Sequence, residues 1–199
     1  IDANKKLGIE NRGIDTVGYD IADSGVDTCA IAHSKGNELV YIEEWNAKED
    51  ELEESATKVF DYAALVGAIV KYDCIGVGAS AGSTFKRLNT ERPKKIEYFK
   101  FDAGAGVYQP NHEYQPQRRN KDHFENLKAQ VWQDVADRLL YTHNAVTKGT
   151  PFDEDMIISI SPNCESLDKL KRELSSPKKE KSRRGLVKVE SKEDLKKRG

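Results

Sequence analysis

Residues 18–27 read GYDIADSGVD and place three carboxylates, Asp20, Asp23 and Asp27, inside ten positions. An apolar segment (Ile14, Val17, Tyr19, Ile21) runs into a turn at Ser24-Gly25, a pattern that predicts a strand over 15–22. Asp20 sits within that run rather than after it. A carboxylate inside a strand is costly unless it is paired, hydrated or bound to a metal. Asp20 is therefore either a metal ligand or, with Asp27, a former of local turns.

Working outward, TCAIAH at 28–33 predicts a second strand, Lys35-Gly36-Asn37-Glu38 a tight turn, and LVYIEEW at 39–45 a third strand. Three consecutive strands on short turns make an antiparallel meander, and its first strand, which carries the acid, is expected to be central. A helix over 49–62 follows, with Leu52, Ala56, Val59 and Phe60 on one face and acids at its start. GAIVKY at 67–72 reads as a buried strand that ends at Asp73. Then come the Gly/Ala-rich CIGVGASAGS, a helix over 84–89 and a fifth strand over 95–101. Strands that alternate with helices call for parallel pairing, so the fold class is α/β with a mixed sheet flanked by helices.

Residues 102–120 lack a period and read as a long loop. A helix is expected over 122–142, with Phe124, Leu127, Val131, Trp132, Val135, Ala136, Leu139 and Leu140 as a core stripe. Beyond Pro151 the chain breaks into short pieces: a strand over 156–160, a helix over 165–174 with its leucines inward, a basic insert over 175–185, and a strand over 186–189. Ser191 then caps a helix, with Asp194 at the capping-box position.

The 199 residues suffice for a sizeable core, and 33% charged against 37% hydrophobic residues is polar but not disordered in composition. No apolar run approaches the roughly 18 residues that cross a bilayer. Three separated cysteines (Cys29, Cys74, Cys164) argue against a disulfide framework or zinc knuckle, and four scattered histidines lack zinc-protease spacing. The net charge of −2 hides an asymmetry. Residues 169–199 hold thirteen Lys and Arg against five Asp and Glu, net +8, and the remainder 19 against 29, net −10. A basic end can bind a polyanion while an acidic body keeps a metal pocket.

Asp20 and Asp73 both stand at strand positions. In neighbouring strands their carboxylates converge on one sheet edge, where open α/β sheets place their sites. Oxygen donors without His or Cys favour Mg2+ or Mn2+ over zinc, and two such ions support phosphodiester cleavage. The bland alternative makes Asp73 an Asx cap on the following glycine loop. That loop has no P-loop signature, and Gly76, Gly78 and Gly82 do not make a dinucleotide fingerprint. Its small residues are expected to admit a DNA backbone or a neighbouring strand close to the acids.

The blocks GYDIADSGVDTCAIAHSKGNELVYIEEW, YDCIGVGASAGSTFKRL, LKAQVWQDVADRL and VKVESKEDLKKRG resemble, in this order, the C-terminal nuclease domain of tailed-phage terminase large subunits. The resemblance implies a ribonuclease H-like fold over 14–199 and a divalent-metal endonuclease that cuts concatemeric double-stranded viral DNA during packaging. It implies Asp20 and Asp73 as catalytic metal ligands for two Mg2+ or Mn2+ ions, with Asp23 or Asp27 helping through water. A further acid of the family follows the VESKEDLKKRG block, so the chain is expected to stop short of it at Gly199. Residues 1–13 are expected to be a linker from a preceding ATPase domain. The partners implied are a small terminase subunit and a portal, with no membrane, in the host cytoplasm. Candidate phosphate contacts are Lys86 and Arg87, then Arg118, Arg119 and Lys121, and in the basic insert Lys178, Lys179, Lys181, Arg183 and Arg184. Two rivals are a non-catalytic module that docks DNA or a portal, and an actin-like ATPase fold.

Overall fold

The computed structural model describes residues 1–22, 28–46 and 51–198, and only the backbone of Val77. Asp23 and Asp27 lie outside the described residues. The chain divides into two compact units, Ile1–Asp102 with Tyr141–Glu165, and Ala103–Leu140 with Ser166–Gly199.

The first unit is built on a mixed six-stranded sheet. Its strands are β1 (Thr16–Asp20), β2 (Cys29–Lys35), β3 (Glu38–Trp45), β4 (Ile69–Asp73), β5 (Tyr98–Phe101) and β8 (Ser159–Ile160). They lie in the order β5-β4-β1-β2-β3-β8. β1, β2 and β3 form the expected antiparallel meander, whereas β1–β4, β4–β5 and β3–β8 are parallel. The strand that carries Asp20 is interior, as its acid-bearing apolar pattern predicted.

Two helices cover one face of this sheet, α2 (Leu52–Val66) and α3 (Ala79–Glu91). Val17, Tyr19, Ile31, Val70 and Tyr72 from the strands meet Ala56, Val59, Phe60 and Ala63 of α2 and Ala81, Phe85 and Leu88 of α3. Phe60 and Phe85 are fully buried, each contributing about 1.5–3 kcal/mol from removed apolar surface. α2 carries Glu53 and Glu54 in its first turn, where the helix dipole favours anions. It ends on Gly67 at φ 74°, whose N–H bonds to the carbonyl of Ala63.

A smaller core joins α1 (Ala3–Leu7) to the end of α5 (Leu127–Lys148) through Ala3, Ala145 and Ile157. Asn4 and Asn37 exchange amide hydrogen bonds of 2.9 and 3.0 Å beside it.

The second unit holds two hairpins, β6 (Glu113–Gln115) with β7 (Arg118–Arg119), and β9 (Lys179–Lys181) with β10 (Val187–Val189). The first hairpin lies within the stretch expected to be a plain loop, the second within and after the basic insert. Phe124, Ala129 and Val187 form the core of this unit. α6 (Leu167–Ser175) buries no residue, so its leucines are less inward than their spacing suggested. Ser191 does cap α7 (Lys192–Arg198), its Oγ accepting from the N–H of Asp194 at 3.1 Å.

The expected helix over 122–142 is two helices, α4 (Asn120–His123) and α5. Phe124 between them is extended and bridges to Val187, and Asn126 Oδ1 accepts the N–H of Ala129 at 3.0 Å. The core stripe drawn through this break is therefore wrong. Val131 and Leu140 are 38% and 60% exposed, so neither belongs to a core, and Phe124 reaches its core from an extended segment outside α5.

Candidate active site

Alternation along β1 buries Val17 and Tyr19 and leaves Thr16, Gly18 and Asp20 on the other face. Alternation along β4 buries Val70 and Tyr72 and leaves Ile69, Lys71 and Asp73 on that same other face. Tyr19 pairs with Tyr72 in the parallel register, so Asp20 and Asp73 are the next step on neighbouring strands, about 4.8 Å apart in strand spacing. Both lie at the carboxyl end of the sheet. Asp20 is exposed. The desolvation cost first assigned to it is thus not incurred, because the strand ends at this residue rather than passing through it.

Asp73 is half-buried, and its Oδ1 accepts the N–H of Ile75 at 3.1 Å. This is the Asx arrangement expected as the bland alternative, and it orients the carboxyl rather than replacing its other uses. Below the acids, burial pushes the Tyr19 hydroxyl far up from its ordinary value, with the negative charge of Asp20 a lesser cause.

The glycines after Asp73 serve backbone approach. The chain makes a short 3-10 turn over Gly76–Gly78 before α3, and Gly76 takes φ 61°. A Cβ on Gly78 would stand 2.0 Å from the carbonyl oxygen of Asp73, and one on Gly82 would stand 2.3 Å from the Tyr72 hydroxyl. The neighbour admitted close to the acid is therefore this chain's own helix start. α3 begins at Ala79, five residues earlier than its pattern suggested.

A third carboxylate at the same sheet end escaped the sequence reading. Asp102 follows β5, whose Phe101 pairs with Asp73, and opens the stretch that in sequence reads only as a loop. Alternation turns it to the opposite face from Asp73. Among the described residues no three His, Cys, Asp or Glu side chains are grouped to hold a metal. Asp20 and Asp73 supply hard oxygen donors of the kind Mg2+ and Mn2+ take, as a pair.

The candidate basic residues fall in different settings. Arg87 on α3 is held by Glu91 and Glu53, both at 2.5 Å, with Lys86 exposed beside it. In the second unit Arg184 pairs with Glu125 at 3.2 Å. Arg118, Arg119, Lys178, Lys179 and Arg183 make no ion pair among the described residues. His123, 5% exposed, brings two of the groups together. Burial lowers its pKa first, and the charges of Arg118, Lys179 and Lys181 lower it further. The β6–β7 and β9–β10 hairpins thus direct cations toward one place.

No protein-family model and no curated protein sequence matches the chain. Solved structures do. The nuclease domain of the large terminase subunit of bacterial virus Sf6 superposes with a TM-score of 0.85 at 28% identity, over 98% of this chain and 85% of that one. A mutant of that domain with manganese and β-thujaplicinol gives 0.86 at 28%, over 99% and 86%. A mutant with calcium gives 0.84 at 26%, over 98% and 86%. The chain has the fold of the terminase nuclease domains. Its mixed sheet with flanking helices is the ribonuclease H-like arrangement of that group. Asp20 and Asp73 occupy, in this terminase-type nuclease fold, the carboxyl end of the two central parallel strands.

Proposed function

We propose that the chain is a divalent-metal-dependent endonuclease that cuts concatemeric double-stranded viral DNA during genome packaging. The observation that carries this reading is the juxtaposition of Asp20 and Asp73, one register step beyond the Tyr19–Tyr72 pair, in a chain similar to terminase nuclease domains. Mg2+ or Mn2+, as two ions, would be held by these carboxylates, with Asp23 or Asp27 helping through water. The chemistry that ions held by these carboxylates would supply is activation of a water and stabilisation of the leaving oxygen of a phosphodiester. The Asp73 carboxyl, fixed by the N–H of Ile75, presents a constant orientation, and Asp20 faces solvent, where a polymeric substrate has access. The unpaired cations Arg118, Arg119, Lys178, Lys179 and Arg183 contact phosphates rather than base edges, which gives cutting with little sequence preference and strong salt dependence. In the whole protein an ATPase domain, a small terminase subunit and a portal are the partners, in the host cytoplasm. No helix among the described residues is long and apolar enough to cross a membrane.

The test is digestion of supercoiled plasmid with Mn2+, Mg2+ or EDTA, using this chain and one extended past Gly199. Metal-dependent nicking that Asp20→Asn and Asp73→Asn remove is the expected result. Metal-dependent cleavage that persists equally in both variants, or no cleavage by the extended protein, overturns the reading.

A further inference from the structure

The loop over 103–112 buries one side chain and displays the next. Val107 packs against the core of Phe124, Ala129 and Val187, while the ring of Tyr108 is 67% exposed. The backbone beneath that ring is braced from two sides. The Tyr108 N–H donates to Gln130 Oε1 at 2.7 Å, and the Tyr108 carbonyl accepts from Gln130 Nε2 at 3.1 Å. Asn120, 4% exposed, donates from one Nδ2 to the carbonyls of Tyr108 and Gln109, each at 3.0 Å. Gln109 takes φ 45°, a conformation that non-glycine residues hold only when their surroundings impose it. The brace is continued by Lys121, whose N–H donates to the Pro110 carbonyl at 3.1 Å and whose Nζ donates to Asn111 Oδ1 at 2.9 Å. Two buried or reciprocal amides thus order a loop whose largest apolar residue, Tyr108, stands 67% exposed. Such an arrangement pre-orders a contact rather than serving the core.

The surroundings indicate what the ring meets. The unit holding Tyr108 carries eighteen Lys and Arg against eleven Asp and Glu, net +7, whereas the other carries fourteen against twenty-three, net −9. Arg119 and Lys121 flank the bracing Asn120 in sequence, are exposed, and make no ion pair among the described residues. An exposed aromatic ring among unneutralised cations matches the recognition of single-stranded nucleic acid, in which cations follow the phosphates and rings stack on bases. Bases inside a duplex have no free face, so the ring has a partner only where the strand is unpaired.

We propose that Tyr108 is a stacking platform for an unpaired base of the bound DNA, with Arg119 and Lys121 holding the adjoining phosphates. This rests on the reading of the chain as a DNA nuclease and adds a preference for unpaired strand to it. Among the described residues the Tyr108 hydroxyl accepts a hydrogen bond only from Gln109 Nε2, at 3.4 Å, so the aromatic face and not the OH is what the site uses.

Fluorescence titration of the 199-residue chain in EDTA, where no cleavage occurs, tests it. The probes are a blunt duplex and the same duplex with an overhang bearing 2-aminopurine. The wild type is expected to bind the overhang more tightly and to quench its fluorescence. Tyr108→Ala should weaken overhang binding roughly 5- to 150-fold, with blunt-duplex affinity and thermal midpoint unchanged, while Tyr108→Trp retains both affinity and quenching. Equal affinity of wild type and Tyr108→Ala for the overhang overturns the proposal and leaves the nuclease reading intact if plasmid nicking persists. A change in self-association without a change in DNA affinity overturns it in favour of a protein contact. Failure of the wild type to bind either probe removes the nuclease reading and this proposal together.

Discussion

Gly78 packs so closely on Asp73 that a Cβ at position 78 would stand 2.0 Å from the Asp73 carbonyl oxygen and 3.0 Å from its carbonyl carbon. The start of α3 and the end of β4 are thereby locked together at the acid. Backbone cannot give way as a flexible side-chain end can. Gly78→Ala is expected to cost about 1–3 kcal/mol of stability and to displace the Asp73 carboxyl, lowering cleavage. Gly106→Ala, which meets nothing within 4 Å, is the matched control and should stay within about 0.5 kcal/mol. Chemical denaturation of both variants checks the difference.

The Tyr72 hydroxyl is buried without a hydrogen-bond partner among the described residues. Removing an unsatisfied buried polar atom of the same shape is neutral to stabilising, so Tyr72→Phe should hold or raise the thermal midpoint. The same hydroxyl is what a Cβ on Gly82 would strike, at 2.3 Å. Gly82→Ala should therefore destabilise the wild type and destabilise Tyr72→Phe less. A double-mutant cycle reads the coupling, and strict additivity would refute the contact.

His123 predicts a pH response. Burial first, and then Arg118, Lys179 and Lys181, lower its folded-state pKa, with Asp137 opposing them. The unfolded chain then binds the proton more readily than the folded one. Its contribution to stability is complete above the ordinary histidine value of about 6.5 and is lost as pH falls from there through the lower folded value. His123→Phe, which keeps the packing against Tyr114 and Phe124, should flatten the loss of stability with acidification below pH 6.5. Unfolding curves across that range measure it.

Glu190 anchors α7. Its Oε1 accepts from Arg198 Nε at 3.1 Å, and its Oε2 accepts from Arg198 Nη2 at 3.0 Å and from the Lys178 N–H at 3.1 Å. The Arg198 bonds, chiefly, hold its pKa below the ordinary glutamate range. The stabilisation is present above about pH 4.3 and disappears as pH falls through the depressed folded value. Glu190→Gln is expected to lower the thermal midpoint at neutral pH and to converge with the wild type in strong acid. A constant difference at all pH values would refute the ion pair as its source.

Much of the fold was legible because strand and helix periods were intact where one face is buried. The meander over β1–β3 follows from alternation with short turns, and the interior place of β1 follows from its apolar density around a single acid. The apolar spacing picks out Asp20 and Asp73 as strand carboxylates, but it sets Asp20 inside a strand that in fact ends at it. The stripe from Phe124 to Leu140 misled because a three-residue break costs a helical pattern nothing in residue types, yet takes Phe124 out of the helix. Phe124 reaches a core from extended backbone, while Val131 and Leu140 stay exposed on α5.

Local composition determined the strands of the meander, β4 and the helices around them, that oxygen donors and not His or Cys stand at the candidate site, and that the basic charge gathers toward the end of the chain. These depend on residue type and near neighbours, which a sequence records directly. Tertiary structure alone decided that Asp20 and Asp73 become adjacent, since a parallel pair 53 positions apart in the chain is set by packing of α2 and α3 across the sheet. It also decided that Asp20 is exposed, that Gly78 abuts the Asp73 carbonyl, and that Tyr108 stands out from a braced loop. The pairing of Asp20 with Asp73 joins residues remote in the chain through long-range burial and register, and the others follow from the path the backbone takes between packed elements, which residue types do not record.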